Sequence, residues 1–280
     1  MPHTTLVSTA ELAAHLNDPA WIVFDCRHDL AKPDSGQEEY AKSHIPGARF
    51  LHLDRDLAAP PNGTNGRHPL PDAEAFARRL AAEGVDAGKQ VVAYDAKLGV
   101  YASRLWWMLR WLGHDKVAVL DGGYVKWLKE ARPVTDAVPR AQPARFDGRP
   151  RAASVDADDV LCSLGRPGRV LIDARSADRF RGENETLDPV GGRIPGSVNR
   201  FYRDNLDAAG CFKPAQELRQ AFSPLLGALP PAAIVHSCGS GVSACHNLLA
   251  MEIAGLSGSR LYPGSWSEWC SDAARPMEKG

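Results

Sequence analysis

The chain has 280 residues, with 33 lysines and arginines against 34 aspartates and glutamates, and 44% of it is hydrophobic. Charge so nearly balanced, with no basic block, excludes sequence-independent nucleic-acid binding and favours small-molecule chemistry; the length fits two domains of ordinary size. No apolar stretch is long enough to cross a bilayer, no leader pattern opens the chain, and six scattered cysteines without a CxxC pair read as free thiols, so a cytoplasmic protein with no membrane partner is expected.

In chain order, "STAELAAHL" (8–16) has the apolar spacing of an amphipathic helix, and "WIVFDCRHDL" (21–30) begins as a buried strand ending at Asp25. A turn at "HIPGA" (44–48) precedes a helix, "DAEAFARRLAAEG" (72–84), and a second buried strand, "VVAYD" (91–95). A long helix follows, with Trp106, Trp107 and Trp111 at core spacing, then the strand "KVAVLDGG" (116–123).

The same order then recurs. "SVDADDVLCSL" (154–164) is a helix, "RVLIDARSAD" (169–178) matches 21–30 with Asp173 on Asp25, and "RIPGS" (193–197) matches "HIPGA". "PAQELRQAFSPL" (214–225), the strand "AAIVHS" (232–237), a further helix and "SRLYPGS" (259–265) complete the second copy, and "PGSWSEW" (263–269) matches "DGGYVKW" (121–127). Two homologous α/β halves, each a mainly parallel sheet flanked by helices, are therefore predicted over 1–135 and 153–280. The Pro- and Arg-rich stretch 136–152 is predicted as a linker.

The turn "HSCGSGVSACHN" (236–247) joins a strand to a helix, and in open parallel sheets ligands sit beyond such strand ends. Backbone N–H groups and the helix N-terminus there favour an anion, so Cys238 can be a thiolate nucleophile; equally, it can be a small buried hydrophobe. Aligning the halves sets Asp95 opposite Cys238. A Cys-x5-Arg phosphatase would need arginine at 244, which is alanine, so phosphate monoesters are excluded.

Taken with both Ile-Pro-Gly turns, "GRHPLP" (66–71) and "GSWSEW" (264–269), this arrangement resembles the two-domain rhodanese family of thiosulfate and 3-mercaptopyruvate sulfurtransferases. The resemblance implies an inactive first domain carrying Asp95 and a catalytic second one, in which Cys238 accepts a sulfane sulfur as a persulfide. The sulfur then passes to cyanide, a thiol or a thioredoxin-like acceptor. It implies that Gly239, Ser240, Gly241, Val242 and Ser243 line the sulfur cradle, that Ser240 joins a relay with His68 and Asp54, and that Arg179 grips a small anionic donor. A glycine and a serine after the cysteine are similar to the mercaptopyruvate type, whereas the thiosulfate type carries cations there. Two departures stand out: Thr186 occupies the place of a second donor-binding arginine, and Arg193 replaces a histidine. Arg193 is therefore a candidate for supplying the missing charge. Neither a metal nor an organic cofactor is expected, and the alternatives are thiosulfate as donor or a persulfide carrier in a sulfur relay.

Overall fold

The computed structural model describes residues 2–280. The chain divides into two compact units, each with its own parallel sheet. The first comprises residues up to Ala59, Leu70–Arg151 and Ala208–Cys211; the second comprises Pro60–Pro69, Ala152–Asp207 and Phe212–Gly280. Each unit thus takes a short segment from the other's stretch of sequence.

In the first unit β1 (Leu6–Val7), α1 (Thr9–Ala14), β2 (Trp21–Asp25), α2 (Ser35–Lys42), β3 (Arg49–Phe50) and α3 (Leu53–Asp56) follow in order. Then come α4 (Ala73–Ala82), β4 (Gln90–Tyr94), α5 (Val100–Trp111), β5 (Val117–Leu120) and α6 (Gly123–Lys129). The strands lie parallel in the order β1-β5-β4-β2-β3, and β4, with every residue buried, is flanked by β2 and β5. Ser8 and Asp72 start α1 and α4 by accepting the N–H groups of Glu11 and Ala75. Trp106, Trp107 and Trp111 are buried on α5, as their spacing predicts.

The second unit contains α7 (Ala157–Ser163), β6 (Val170–Asp173), α8 (Ala177–Arg181), β7 (Val198–Asn199) and α9 (Ala215–Leu226). It ends with β8 (Ile234–Ser237), α10 (Ala244–Ile253), β9 (Arg260–Leu261) and α11 (Ser265–Trp269). Its four parallel strands take the order β7-β6-β8-β9, with Asp173 in register with Ser237. The chain leaves β6 for β7 on one side and returns to β8 on the other. The carboxyl ends of β6 and β8 therefore flank a topological switch point, where such sheets bind ligands.

Both units use one clamp to fix the loop after their first long strand. Arg27 grips Asp25 through Nε and Nη2 and donates a second Nη2 bond to the Ser43 carbonyl at 2.7 Å. Arg175 repeats this on Asp173 and donates to the Gly192 carbonyl at 2.8 Å. Each carbonyl stands just before an Ile-Pro-Gly turn, in which Gly47 and Gly196 adopt positive φ and the isoleucine is buried.

The stretch 136–152 has no helix or strand, yet it is not a free tether. Its backbone N–H groups at Ala144, Arg149 and Arg151 donate to Ala81, Leu112 and Trp111, so most of it runs along the first unit. No helix among the described residues is long and apolar enough to cross a membrane.

Candidate functional site

β8 is a short apolar strand that ends at Ser237, and α10 does not begin until Ala244, which leaves Cys238–Ser243 as the connecting loop. The first turn of α11 holds that loop by its backbone. Cys238 donates its N–H to Ser265 Oγ at 3.0 Å, and the Cys238 and Gly239 carbonyls accept the N–H groups of Trp266 and Ser267. Ser265 pays for this position with φ +53, a conformation uncommon outside glycine. Gly241 has φ +74, and a Cβ there would run into the Pro263 carbonyl, so only glycine lets the loop curl so tightly. As a result the Gly241 N–H points at Cys238 Sγ, 3.1 Å away. Cys238 and Val242 are buried, and Cys245 donates its thiol to the Gly241 carbonyl from the first turn of α10.

Ser240 and His68 meet. Ser240 Oγ and His68 Nδ1 lie 2.7 Å apart, both side chains buried, because the segment Pro60–Pro69 packs into the second unit. Next to His68, Arg67 anchors its own N–H on Ser267 Oγ and pairs its Nη1 with Asp188. A Cβ placed on Gly239 would lie 2.8 Å from Arg67 Nη2 and 3.4 Å from Arg179 Nη2. Two guanidinium groups thus border the loop one residue beyond the cysteine. Burial pulls the Arg67 pKa down from its ordinary value, while the Cys238 thiolate acts to raise it; such a group stays charged at neutral pH.

Behind these cations stand two almost fully buried acids. Glu185 accepts Nε and Nη2 of Arg179 and the backbone N–H groups of Leu187 and Asp188. Its carboxylate also lies 3.6 Å from Arg175 Nη1. Sequence reasoning singled out none of Arg67, Arg175, Glu185 and Asp188. For Arg175 a signal exists, the Asp-x-Arg shared by both halves; for Arg67 it is only adjacency to His68.

Arg193 is engaged elsewhere. Its backbone pairs antiparallel with Glu278, its Nη2 meets the Glu278 carboxylate at 2.6 Å, its Nη1 donates to the Gly280 carbonyl, and its guanidinium stacks on Phe180. His44, its counterpart in the first unit, makes the same kind of bridge to Thr135. The position therefore pins the end of a unit onto the Ile-Pro-Gly turn, and Arg193 spends both of its terminal nitrogens there.

Asp54 lies in the first turn of α3, and its N–H donates to His52 Nδ1 at 3.1 Å while its carboxylate lies 3.9 Å from His28 Nε2. The ligand atoms of His28, His52 and Asp54 fall within 4.8 Å of one another. With Nδ1 accepting an N–H, the neutral His52 ring carries its proton on Nε2 and has no spare lone pair for a metal.

The first unit shows what the equivalent loop does with an anion. Asp95 follows β4 as Cys238 follows β8, and its carboxylate accepts four backbone N–H groups, from Lys97, Gly99, Tyr101 and Ala102, at 2.7–2.9 Å. Burial pushes its pKa up and those four donors oppose the rise. A strand-to-helix loop of this design is an anion cradle.

Comparison with known proteins gives the same picture. A model of the rhodanese-like domain matches residues 8–130 and 156–272. A probable 3-mercaptopyruvate sulfurtransferase of Pseudomonas aeruginosa is 46% identical over the full length of both chains. The bovine thiosulfate sulfurtransferase is 35% identical over 95% of this chain and 92% of its own. Among solved structures, the 3-mercaptopyruvate sulfurtransferase of Leishmania major superposes with a TM-score of 0.84 at 30% identity, covering 96% of this chain and 75% of that one.

Proposed function

The chain belongs to the rhodanese family of sulfurtransferases, and from that premise we propose that it takes sulfur from 3-mercaptopyruvate onto Cys238. That it is an enzyme moving sulfane sulfur through a cysteine follows from the family; the donor and the roles of single residues are our reading.

The Cys238 thiolate attacks the donor's sulfur. The carbon–sulfur bond breaks, its electron pair leaves with carbon as the enolate of pyruvate, and the sulfur stays as a persulfide. The donor's thiol loses a proton and the enolate gains one. Ser240 and His68, joined at 2.7 Å, can carry that proton, with Asp54 proposed as the acid of the relay. In the second step a thiophilic acceptor, cyanide, a small thiol or a thioredoxin-like thiol, attacks the outer sulfur and returns Cys238 as a thiolate. The loop N–H of Gly241 suits thiolate and persulfide alike, since both are anions. Free cysteines throughout fit a reducing, cytoplasmic setting.

The Ser240–His68 bond carries the choice of donor. Thiosulfate releases sulfite, a stable anion that needs no proton at the moment of cleavage, whereas an enolate does. Thiosulfate remains the second reading because the bovine relative uses that name and two guanidinium groups border the loop. Steady-state sulfur transfer with each donor, to cyanide and to a thiol, decides between them. A higher kcat/KM for thiosulfate overturns the mercaptopyruvate assignment, and sulfur uptake from a protein persulfide alone points to a carrier.

A further inference from the structure

Two guanidinium groups reach the loop at Gly239, but their hydrogen-bonding capacity is spent differently. Arg179 gives Nε and Nη2 to both oxygens of Glu185, at 2.8–3.1 Å, which occupies the planar edge that would hold a donor's carboxylate. Glu185 is fixed in its turn by two backbone N–H groups and has a side chain only 3% exposed. Displacing it would strand a buried charge. Arg67 spends only Nη1, on Asp188, and its backbone is tied to Ser267. Its Nε and Nη2 meet no acceptor among the described residues, and its side chain is 28% exposed, so the free edge of the fork can be reached. Gly239 leaves room for it, since a Cβ there would lie 2.8 Å from Nη2 and the guanidinium would have to shift.

We propose that Arg67, rather than Arg179, is the primary ligand for the carboxylate of the incoming sulfur donor, with the Arg179–Glu185 pair acting as the wall that holds the loop's surroundings in place. This rests on the mercaptopyruvate reading above. The planar Nε/Nη2 edge matches a carboxylate bidentately, and Asp188 fixes the opposite end so that the fork is oriented before the donor arrives. Thr186 and Arg193 need contribute no charge in this arrangement.

The test compares 3-mercaptopyruvate with its uncharged methyl ester as donors, following one sulfur atom onto Cys238 by mass and turnover with a thiol acceptor. Arg67→Gln is expected to lower kcat/KM for 3-mercaptopyruvate roughly ten- to a hundredfold, mostly through KM. Its effect on the ester is expected to stay within about threefold, because the ester has no carboxylate for Arg67 to hold. Arg67→Lys keeps the charge without the fork and should fall between. Arg179→Gln, which removes one of the two guanidinium groups that Glu185 faces, should lower both donors together. Equal loss on both donors in Arg67→Gln, or no loss, overturns the proposal while leaving the sulfur-transfer reading intact, as does a carboxylate-selective loss seen only in Arg179→Gln. Wild-type protein that gains sulfur from thiosulfate but not from 3-mercaptopyruvate overturns the donor reading, and this proposal with it.

Discussion

Ser240 and His68 stand 172 positions apart in the chain and share a hydrogen bond of 2.7 Å. Ser240 stands two residues after Cys238 in the same loop. A hydroxyl joined to an imidazole can move protons but makes a poor nucleophile beside a thiolate, which suits the proposed role in proton transfer. His68→Asn and Ser240→Ala should each reduce kcat with 3-mercaptopyruvate by about a hundredfold, the usual contribution of a positioned acid–base group. With thiosulfate the loss should stay within a few fold. Parallel losses on the two donors would show that the pair holds the loop's shape and does not move a proton.

Cys238→Ser should abolish transfer and leave the circular dichroism spectrum unchanged, since the swap is nearly isosteric. After donor treatment without acceptor, the wild-type protein should carry one added sulfur, mapped by peptide mass to Cys238. Cys26 and Cys270 are poor competitors because burial raises both thiols above their ordinary pKa. Sulfur found on either of them would refute the assignment.

Asp95→Ala tests the cradle of the first unit. Four N–H groups, three of them in buried hydrogen bonds, would lose their acceptor, and unsatisfied buried donors cost about 1–3 kcal/mol each, with entering water recovering part. We expect a stability loss of roughly 3 kcal/mol or more by urea unfolding, with kcat/KM per folded molecule unchanged. A variant as stable as the wild type would mean that these hydrogen bonds contribute little net stability.

Acid should weaken the fold through His236, which is fully buried on β8 with Nε2 3.1 Å from Met251 Sδ. Burial pushes its pKa down to about 3, while in the unfolded chain it returns to about 6.5. Between those values the unfolded state binds the extra proton, so unfolding free energy falls as pH falls, by up to about 1.4 kcal/mol per pH unit. In His236→Leu the decline between about pH 6 and about pH 4 should be shallower by up to that amount. Urea titrations at several pH values measure it, and identical slopes would remove His236 as the acid-sensitive group.

Much of this molecule could be read before its structure. Strand ends at Asp25, Tyr94, Asp173 and Ser237 were legible to within a residue because buried runs bounded by turn residues have few other interpretations, and duplication doubled each signal. Helix α2 was not, since its sequence is mostly polar and its buried side rests on Gly36 and Tyr40. Gly36 is required because a Cβ there would strike the Arg27 carbonyl, a contact between the helix and the loop after β2 that no local pattern encodes. The site divides the same way. Cys238 and Ser240 follow from one loop, and His68 from a motif. Arg67 depends on where the segment Pro60–Pro69 packs, and the engagement of Arg179 with Glu185 depends on a turn-rich stretch whose path spacing does not reveal. For Arg193 charge is all that the sequence offers, while its backbone bridge to Glu278 is a tertiary feature.

The exchange of segments between the two units also sets an order of assembly. During synthesis the residues bearing Arg67 and His68 are made long before the loop that they complete, so the second unit must recruit a piece of chain that left the ribosome early. Closing so long a loop costs entropy, which packing of the segment against the second unit must offset. The segment bearing Arg67 and His68 is therefore expected to dock only once the sheet of the second unit has formed.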